Sequence, residues 1–380
     1  VHPVRVGIDD FDSFHNTDAV IADRVSMATG QWPGRGCEYC KDLEQAGTVS
    51  DRTYHNAIPN LTPLDFTLDA AAPVTPRILE VYLHNTCDLA CVYCTPKFSS
   101  KINAELKKFG PDVLNQQAIT IDSSRDQYYD KFLSWLDNNG DKLLRLSLLG
   151  GEPLLQREFW SLMEFLQQHK FSNLELSINT NLNCNQATME RFVDMAKQLL
   201  TNRQLKRVDV SCSLDNWSKP AEFIRYGLDL TNWQRNFEYL IQHKWLYLNV
   251  HHVITSLSMS TALELQQMIA GYKQVNKSIV QAYHLVDEPA ATIYHPGIFG
   301  AEFFSQIMSQ LVHEYPITHE WDHTAKTRLE SIAKMLESST IDYARLTKLK
   351  AALVDIDARR GTDWKLVFPE IDNFFIKHKI

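Results

Sequence analysis

No stretch of this chain approaches eighteen uninterrupted apolar residues, and no basic, apolar, small-residue segment opens it. Neither a membrane-spanning helix nor a secretory signal is therefore expected. Basic residues are not in excess either. Against 46 Asp and Glu stand 38 Lys and Arg, a net charge of −8 with the signs interspersed, which argues against a nucleic-acid partner, whose footprint is a basic excess or stripe. Internal repeats and low-complexity stretches are lacking. Cysteine is scarce, seven in 380 residues. These absences make the cytoplasm the default location, and its reducing conditions favour clustered cysteines as metal ligands over disulfides. The chain opens at Val1 with no initiator Met, which leaves room for residues upstream. An apolar fraction of 44% is enough for two or three domains, or for one large barrel with additions.

Three of the seven cysteines, Cys87, Cys91 and Cys94, stand in the order C-x3-C-x2-C after the apolar run Ile78 to Leu83. Composition alone produces such a triad roughly once in four hundred chains of this make-up. Four-iron clusters are normally held by four thiolates, so three closely spaced ligands imply a cluster with one iron open to a small molecule.

Between about residues 77 and 290, short apolar strands alternate with longer helical stretches, the pattern of βα units and a parallel sheet. Strands are expected at 77–83, 143–149, 174–178, 208–214, 246–254 and 278–286. Each runs into polar or glycine-rich residues at its carboxyl end, where ligands bind in parallel α/β folds. Examples are Gly150-Gly151-Glu152-Pro153, Asn179-Thr180-Asn181 and Asp287-Glu288-Pro289. Helices are expected at 157–169, 185–200 and 233–243, and a helical tail at 303–313, 324–337 and 341–358. The fold class is α/β, a partial (β/α)6 TIM-like barrel with a small N-terminal module and a helical C-terminal extension. Residues 1–72 form a Cys37-x2-Cys40 module, 73–290 the barrel and 291–380 the helical cap.

Strand alternation assigns faces. In 207–215, Val208, Val210, Cys212 and Leu214 share one face and Asp209, Ser211, Ser213 and Asp215 the other, which should line the barrel. His251 and His252 alternate as well, so only one can point inward, and core or surface packing is expected of both. Glycine at 150 and 151 permits close approach of backbone to a ligand, and Glu152 could accept a hydrogen bond from an ammonium group. Cys184, on the loop after Asn181, is a candidate hydrogen donor to a substrate radical, weighed against a plain structural thiol.

Cys87, Cys91, Tyr93 and Cys94, taken with Gly150-Gly151-Glu152-Pro153, resemble the signature of the radical S-adenosylmethionine superfamily. The residues from Cys94 to Ser100, Asn179-Thr180-Asn181-Leu182, Ser213-Leu214-Asp215, Phe223 to Gly227 and the Cys37/Cys40 module with Glu44, Gly47, Ser50 and Arg52 resemble its twitch-domain subgroup. The resemblance implies a [4Fe-4S] cluster on Cys87, Cys91 and Cys94, with S-adenosylmethionine on its open iron. Tyr93 would lie near the adenine, while Gly150, Gly151 and Glu152 would meet the methionine amine. Asn181 would contact the ribose or carboxylate, and Ser213 with Arg225 would anchor the carboxylate, a task suited to a guanidinium's bidentate geometry. A second metal or cluster at Cys37 and Cys40 would need further ligands, such as His55 or residues upstream. No cysteine follows Cys212, so the cysteine-rich C-terminal extension of peptide-modifying relatives has no counterpart in these residues.

The expected activity is radical chemistry on a ribosomally made peptide, by crosslinking, epimerisation or cleavage, with a ferredoxin or flavodoxin supplying electrons. Oxidation or rearrangement of a small sugar or nucleotide-like metabolite is the alternative enzyme. A non-catalytic iron–sulfur partner module is the alternative of another class.

Overall fold

The computed structural model describes residues 13–34, 36–45, 50, 52–53, 69–120, 125–286 and 289–380. Gly47, His55 and the strand-end residues Asp287 and Glu288, singled out above, lie outside these. In chain order the described strands are β1 (Ile78–Tyr82), β2 (Ala90–Cys91), β3 (Arg145–Leu149), β4 (Glu175–Thr180), β5 (Arg207–Ser213), β6 (Arg225–Tyr226), β7 (Tyr247–Ile254) and β8 (Val280–Leu285). Six of them form one sheet in the order β1-β3-β4-β5-β7-β8, and every neighbouring pair is parallel. The sheet ends at β1 and β8, so the barrel is open between them. This is the incomplete six-stranded barrel expected from the sequence.

Helices follow the strands as the right-handed crossover of parallel strands requires. Before β1 come α1 (Asp18–Ala28) and α2 (Glu38–Gln45); α3 (Ser100–Phe109) and α4 (Arg125–Asn139) lie between β2 and β3. α5 (Arg157–Gln168) follows β3 and α6 (Gln186–Thr201) follows β4, while α7 (Ser218–Ile224) and α8 (Leu230–Leu240) flank β6, and α9 (Ala262–Lys273) leads into β8. α6 shows why these segments are helical: Met189, Phe192, Val193, Ala196 and Leu199 recur at three- and four-residue spacing and are buried. Its start is fixed by Asn185, whose side chain accepts from the Thr188 N–H at 2.9 Å, a cap worth about 1 kcal/mol.

β5 alternates as expected. Val208, Val210 and Cys212 are buried in the core, and Arg207, Asp209, Ser211 and Ser213 on the inner face are half-buried. At the amino-terminal end that inner face is closed by ions drawn from three adjacent strands. Arg145 Nη1 lies 2.7 Å from Asp209 Oδ2, and Arg207 Nη2 lies 3.0 Å from Glu175 Oε2. Above this floor the inner face carries the small polar residues Ser147, Ser177 and Ser211.

The tail beyond β8 comprises α10 (Ser305–His313), α11 (Glu320–Glu337), α12 (Tyr343–Arg360), α13 (Trp364–Val367) and α14 (Pro369–His378). α11 packs on β8, and Phe299, Leu329, Leu353, Trp364 and Phe375 join Tyr283 of β8 in a second apolar core. Beneath α11 a fully buried ion pair joins Lys273 of α9 to Asp322. Lys273 Nζ also donates to the Pro316 carbonyl at 3.0 Å.

Near the amino terminus, Arg24 on α1 donates to the carbonyls of His15, Ala70 and Ala72. Phe14 and His15 set their rings against Trp135 of α4. The helical segment expected at 233–243 lies three residues earlier, at 230–240, because Asp229 caps it by accepting from the Asn232 N–H. The two-residue strands β2 and β6 were not expected, being too short to carry a period.

Candidate functional site

The cysteines lie on the loop between β1 and α3, and the residues after them explain the loop's shape. Ser99 caps α3, accepting from the Ile102 N–H, and its hydroxyl donates to the Leu89 carbonyl at 2.7 Å. Ser100 Oγ accepts from the Cys87 N–H and donates to the Cys87 carbonyl, both at 3.1 Å. Asn85 Nδ2 spans the loop to the Pro96 carbonyl. The run Pro96 to Ser100 thus folds the cysteine loop around the start of α3.

All seven cysteines are free thiols, with Cys91 buried and Cys87 and Cys94 half-buried. N–H groups approach two of the sulfurs. Cys87 Sγ lies 3.5 Å from the Leu89 N–H and 4.0 Å from Asn181 Nδ2, and Cys91 Sγ lies 3.9 Å from Arg225 Nη1. Burial, reinforced for Cys87 by the neighbouring Cys91, pushes both thiols above their ordinary pKa. Among the described residues, no three His, Cys, Asp or Glu side chains converge closely enough to hold a single metal ion.

The turn after β3 faces this loop. Gly150 and Gly151 both have positive φ, +76° and +59°. A Cβ on Gly151 would fall 2.5 Å from the Thr86 carbonyl, and one on Gly150 would fall 2.6 Å from the Tyr82 ring. The close approach that requires these glycines is therefore made by the chain itself, in the segment leading to Cys87. Glu152, 1% exposed, accepts from the Thr180 hydroxyl at 2.7 Å and from the N–H groups of Asn181 and Leu154 at 2.6 and 3.2 Å. Burial outweighs these donors and raises its carboxyl to about 7. Asn181 in turn holds Asp88 through Nδ2 at 2.8 Å, and Asn183 holds the other Asp88 oxygen at 2.6 Å. A chain of hydrogen bonds thus runs from Glu152 through Asn181 to Asp88, the residue beside Cys87.

Arg225 differs from expectation. Its guanidinium is 8% exposed and grips Asp215 bidentately, with Nε and Nη2 each 2.9 Å from a carboxylate oxygen. The carboxylate it was expected to hold in a ligand is supplied by the protein. Asp215 also accepts from the Tyr93 hydroxyl at 2.7 Å and the Val253 N–H at 3.0 Å. Burial would raise the Asp215 carboxyl, but the adjoining guanidinium holds it below its ordinary value. Tyr93 therefore points its hydroxyl at Asp215, and burial keeps that phenol above its ordinary pKa. Ser213 sits half-buried at the last position of β5, opposite His251 in register.

Cys184 is only 4% exposed and packs in the apolar core, with Asn236 Nδ2 3.9 Å from its sulfur. Burial raises its thiol to about 12. This placement gives a hydrogen-donor role no support. Cys212 is a fully buried core thiol, as expected. Cys37 and Cys40 are half-buried on and just before α2. Near them the Arg52 side chain pairs with Glu44 and covers the Trp32 ring at 5.0 Å. On β7, His252 is fully buried and faces outward against Tyr283, while His251 lies on the inner face with its ring 4.1 Å from that of His284, edge to face. Sequence reasoning missed Asp88, Asn183 and His284. Asp88 sits inside the cysteine motif and Asn183 two residues beyond Asn181, so local position pointed to both.

No protein-family model matches the chain, and no curated protein does. Solved structures that resemble it include those of SuiB from Streptococcus suis. SuiB bound to its precursor peptide SuiA superposes with a TM-score of 0.42 at 16% identity, covering 64% of this chain and 48% of that one. SuiB without a stated ligand gives 0.41 at 16% identity over the same shares. SuiB bound to S-adenosylmethionine gives 0.42 at 15% identity, covering 78% of this chain and 64% of that one. The chain thus spans about half the SuiB chain in two of these and under two thirds in the third. At that level of superposition the likeness bears on neither activity nor substrate.

Proposed function

We propose that this chain is a radical S-adenosylmethionine enzyme of the twitch-domain type, with a ribosomally made peptide as substrate. The observation that carries the reading is the meeting of two motifs distant in sequence. The C-x3-C-x2-C loop after β1 and the Gly-Gly-Glu turn after β3 interlock at the carboxyl end of the sheet, with the Glu152 N–H donating to the Thr86 carbonyl at 2.7 Å. The donor set fits the implied cluster. Three free thiols are offered from one loop, with N–H groups aimed at two of the sulfurs, as donors that hold and tune thiolate ligands are. Cys87, Cys91 and Cys94 would hold a [4Fe-4S] cluster through three irons, leaving the fourth for the amino and carboxylate groups of S-adenosylmethionine.

When bound, the reduced cluster supplies the electron that splits the sulfonium bond into methionine and a 5′-deoxyadenosyl radical able to take a hydrogen atom from substrate. The chain's own residues bind and orient. Glu152 is held by three donors and would accept an N–H of the methionine amino group, with the backbone of Gly150 and Gly151 beside it. Asn181, fixed by Asp88, would contact the ribose or carboxylate. Ser213 is assigned to the carboxylate and Tyr93 to the adenine side. A peptide is favoured by the subgroup resemblance of the segments around Cys94, Asn181 and Arg225. A low-potential ferredoxin or flavodoxin would supply the electron.

Iron content after anaerobic reconstitution tests the cluster assignment. Wild-type protein should carry about four irons per chain, and Cys87→Ala/Cys91→Ala/Cys94→Ala essentially none. Cys37→Ala/Cys40→Ala should retain the wild-type value if the cluster loop is the only iron site; a drop would assign a second cluster to α2. Equal iron in wild type and the triple variant would overturn the reading.

A further inference from the structure

Of the three thiols, Cys91 has a cationic neighbour that the ligand-binding reading does not use. β2 and β6 form a two-residue antiparallel ladder in which Cys91 stands directly opposite Arg225. Opposite residues of such a ladder project to the same face with their side chains adjacent, so the pairing itself brings the guanidinium to the sulfur. The approach is fixed on both sides: the Val92 N–H donates to the Ile224 carbonyl at 2.8 Å, and Asp215 clamps the opposite edge of the guanidinium through Nε and Nη2. Nη1 is left pointing at Cys91 Sγ, 3.9 Å away. Tyr93 and the Val253 N–H hold Asp215 in turn, so the arrangement has little freedom to relax.

We infer that Arg225 and Asp215 form a charge pair that sets the reduction potential of the cluster through the Cys91 thiolate. This rests on the reading that Cys87, Cys91 and Cys94 hold that cluster. Taking up an electron makes the cluster and its thiolates more negative. An N–H donor carrying positive charge stabilises that state and raises the potential, as hydrogen bonds to cluster sulfurs and net charge do generally. Asp215 works in the opposite sense, since its negative charge offsets part of the guanidinium's. The two residues act through Cys91 and are positioning residues for electron entry.

The opposed charges give a test that a merely structural role does not reproduce. Wild type, Arg225→Gln, Arg225→Lys and Asp215→Asn would be reconstituted anaerobically, their iron counted, and the cluster titrated with dithionite against mediators, read by the low-temperature electron paramagnetic resonance signal of the reduced state. Loss of the guanidinium in Arg225→Gln should move the midpoint negative, by at least a tenfold change in the reduction equilibrium, about 59 mV for a one-electron couple. Asp215→Asn, which keeps the guanidinium and removes the charge opposing it, should move the midpoint positive. If Arg225→Gln loses iron, Arg225→Lys supplies the comparison, with a smaller negative shift because an ammonium cannot hold the same fork. Midpoints that do not change, or that shift in the same direction in the Arg225 and Asp215 variants, would overturn the inference while leaving the cluster assignment standing. Wild-type protein that binds no iron would overturn both.

Discussion

Glu152 is the side chain in which the site's electrostatics are most concentrated. It is almost wholly buried, and although three protein donors favour its charged form, burial leaves the carboxyl at about 7. Without a cation beside it, Glu152 is therefore mostly protonated at pH 6. An N–H of an iron-bound amine donating to it would favour the carboxylate and pull its pKa down, so S-adenosylmethionine binding at pH 6 should release a proton from Glu152 in addition to the one the ligand's ammonium gives up on binding iron. Calorimetry in buffers of different ionisation enthalpy reads that number directly. Glu152→Gln should lower the release by most of one proton and weaken binding by about 1–3 kcal/mol, the cost of losing a charged hydrogen bond. Proton release unchanged in Glu152→Gln would remove this residue from the ligand site.

β7 is where a strand's period decides the chemistry of neighbours. His251 and His252 fall on opposite faces: His251 meets His284 on the inner face, whereas His252 is sealed in the outer core with no hydrogen-bond partner for either ring nitrogen among the described residues. Burial lowers the His252 imidazole to about 3, so the folded protein holds it neutral while the unfolded chain protonates it near 6.5. Stability from this group is full above pH 6.5 and is lost as pH falls toward 3, because the unfolded state then binds the extra proton. The loss is on the order of 4–5 kcal/mol over that span. His252→Leu should flatten the fall of the thermal midpoint between pH 6.5 and 4 and cost little at pH 7.5, since it removes two unsatisfied polar atoms. An unaltered pH profile in that variant would contradict the assignment.

The same periodicity explains what could be read before the structure. Strands such as β5, with a strict alternation of Val208, Val210 and Cys212 against polar neighbours, were legible because the period of two survives in the sequence. So were the cysteine loop and the Gly-Gly-Glu turn, being local motifs. The partnership of Arg225 with Asp215 was not. Asp215 lies only ten residues before Arg225, yet nothing local distinguishes a guanidinium gripping a neighbour from one awaiting a ligand, and its approach to Cys91 depends on a two-residue ladder between residues 134 apart. The choice left open for Cys184 has a related reason, since a loop position suggests access, whereas in the fold the thiol is buried with Asn236 against its sulfur.

At the scale of the whole molecule, the barrel and the helical tail are tied at one buried ionic contact as well as by their shared apolar core. Lys273 pairs with Asp322, whose other oxygen accepts from the Thr318 and His319 N–H groups at 2.7 and 2.9 Å. Lys273→Met would leave a carboxylate buried and unpaired, a loss of about 3–5 kcal/mol. The double variant Lys273→Met/Asp322→Asn should recover part of it, since an amide stays neutral and still accepts from those N–H groups. Urea midpoints for the two variants check this, and a double variant no more stable than the single one would show that the ion pair is not what joins α9 to α11.

The organisation of the molecule serves one end of the sheet, where the loop after β1, the turn after β3 and the strand ends of β4 and β5 bring thiols, carboxylate and amide together. The claim that this end generates a radical is tested most directly by 5′-deoxyadenosine formation. Anaerobically reconstituted protein given dithionite and S-adenosylmethionine should produce 5′-deoxyadenosine and methionine, even without the natural substrate, at a rate well above that of Cys87→Ala/Cys91→Ala/Cys94→Ala. A rate indistinguishable from that variant, in protein shown to hold its iron, would contradict the account.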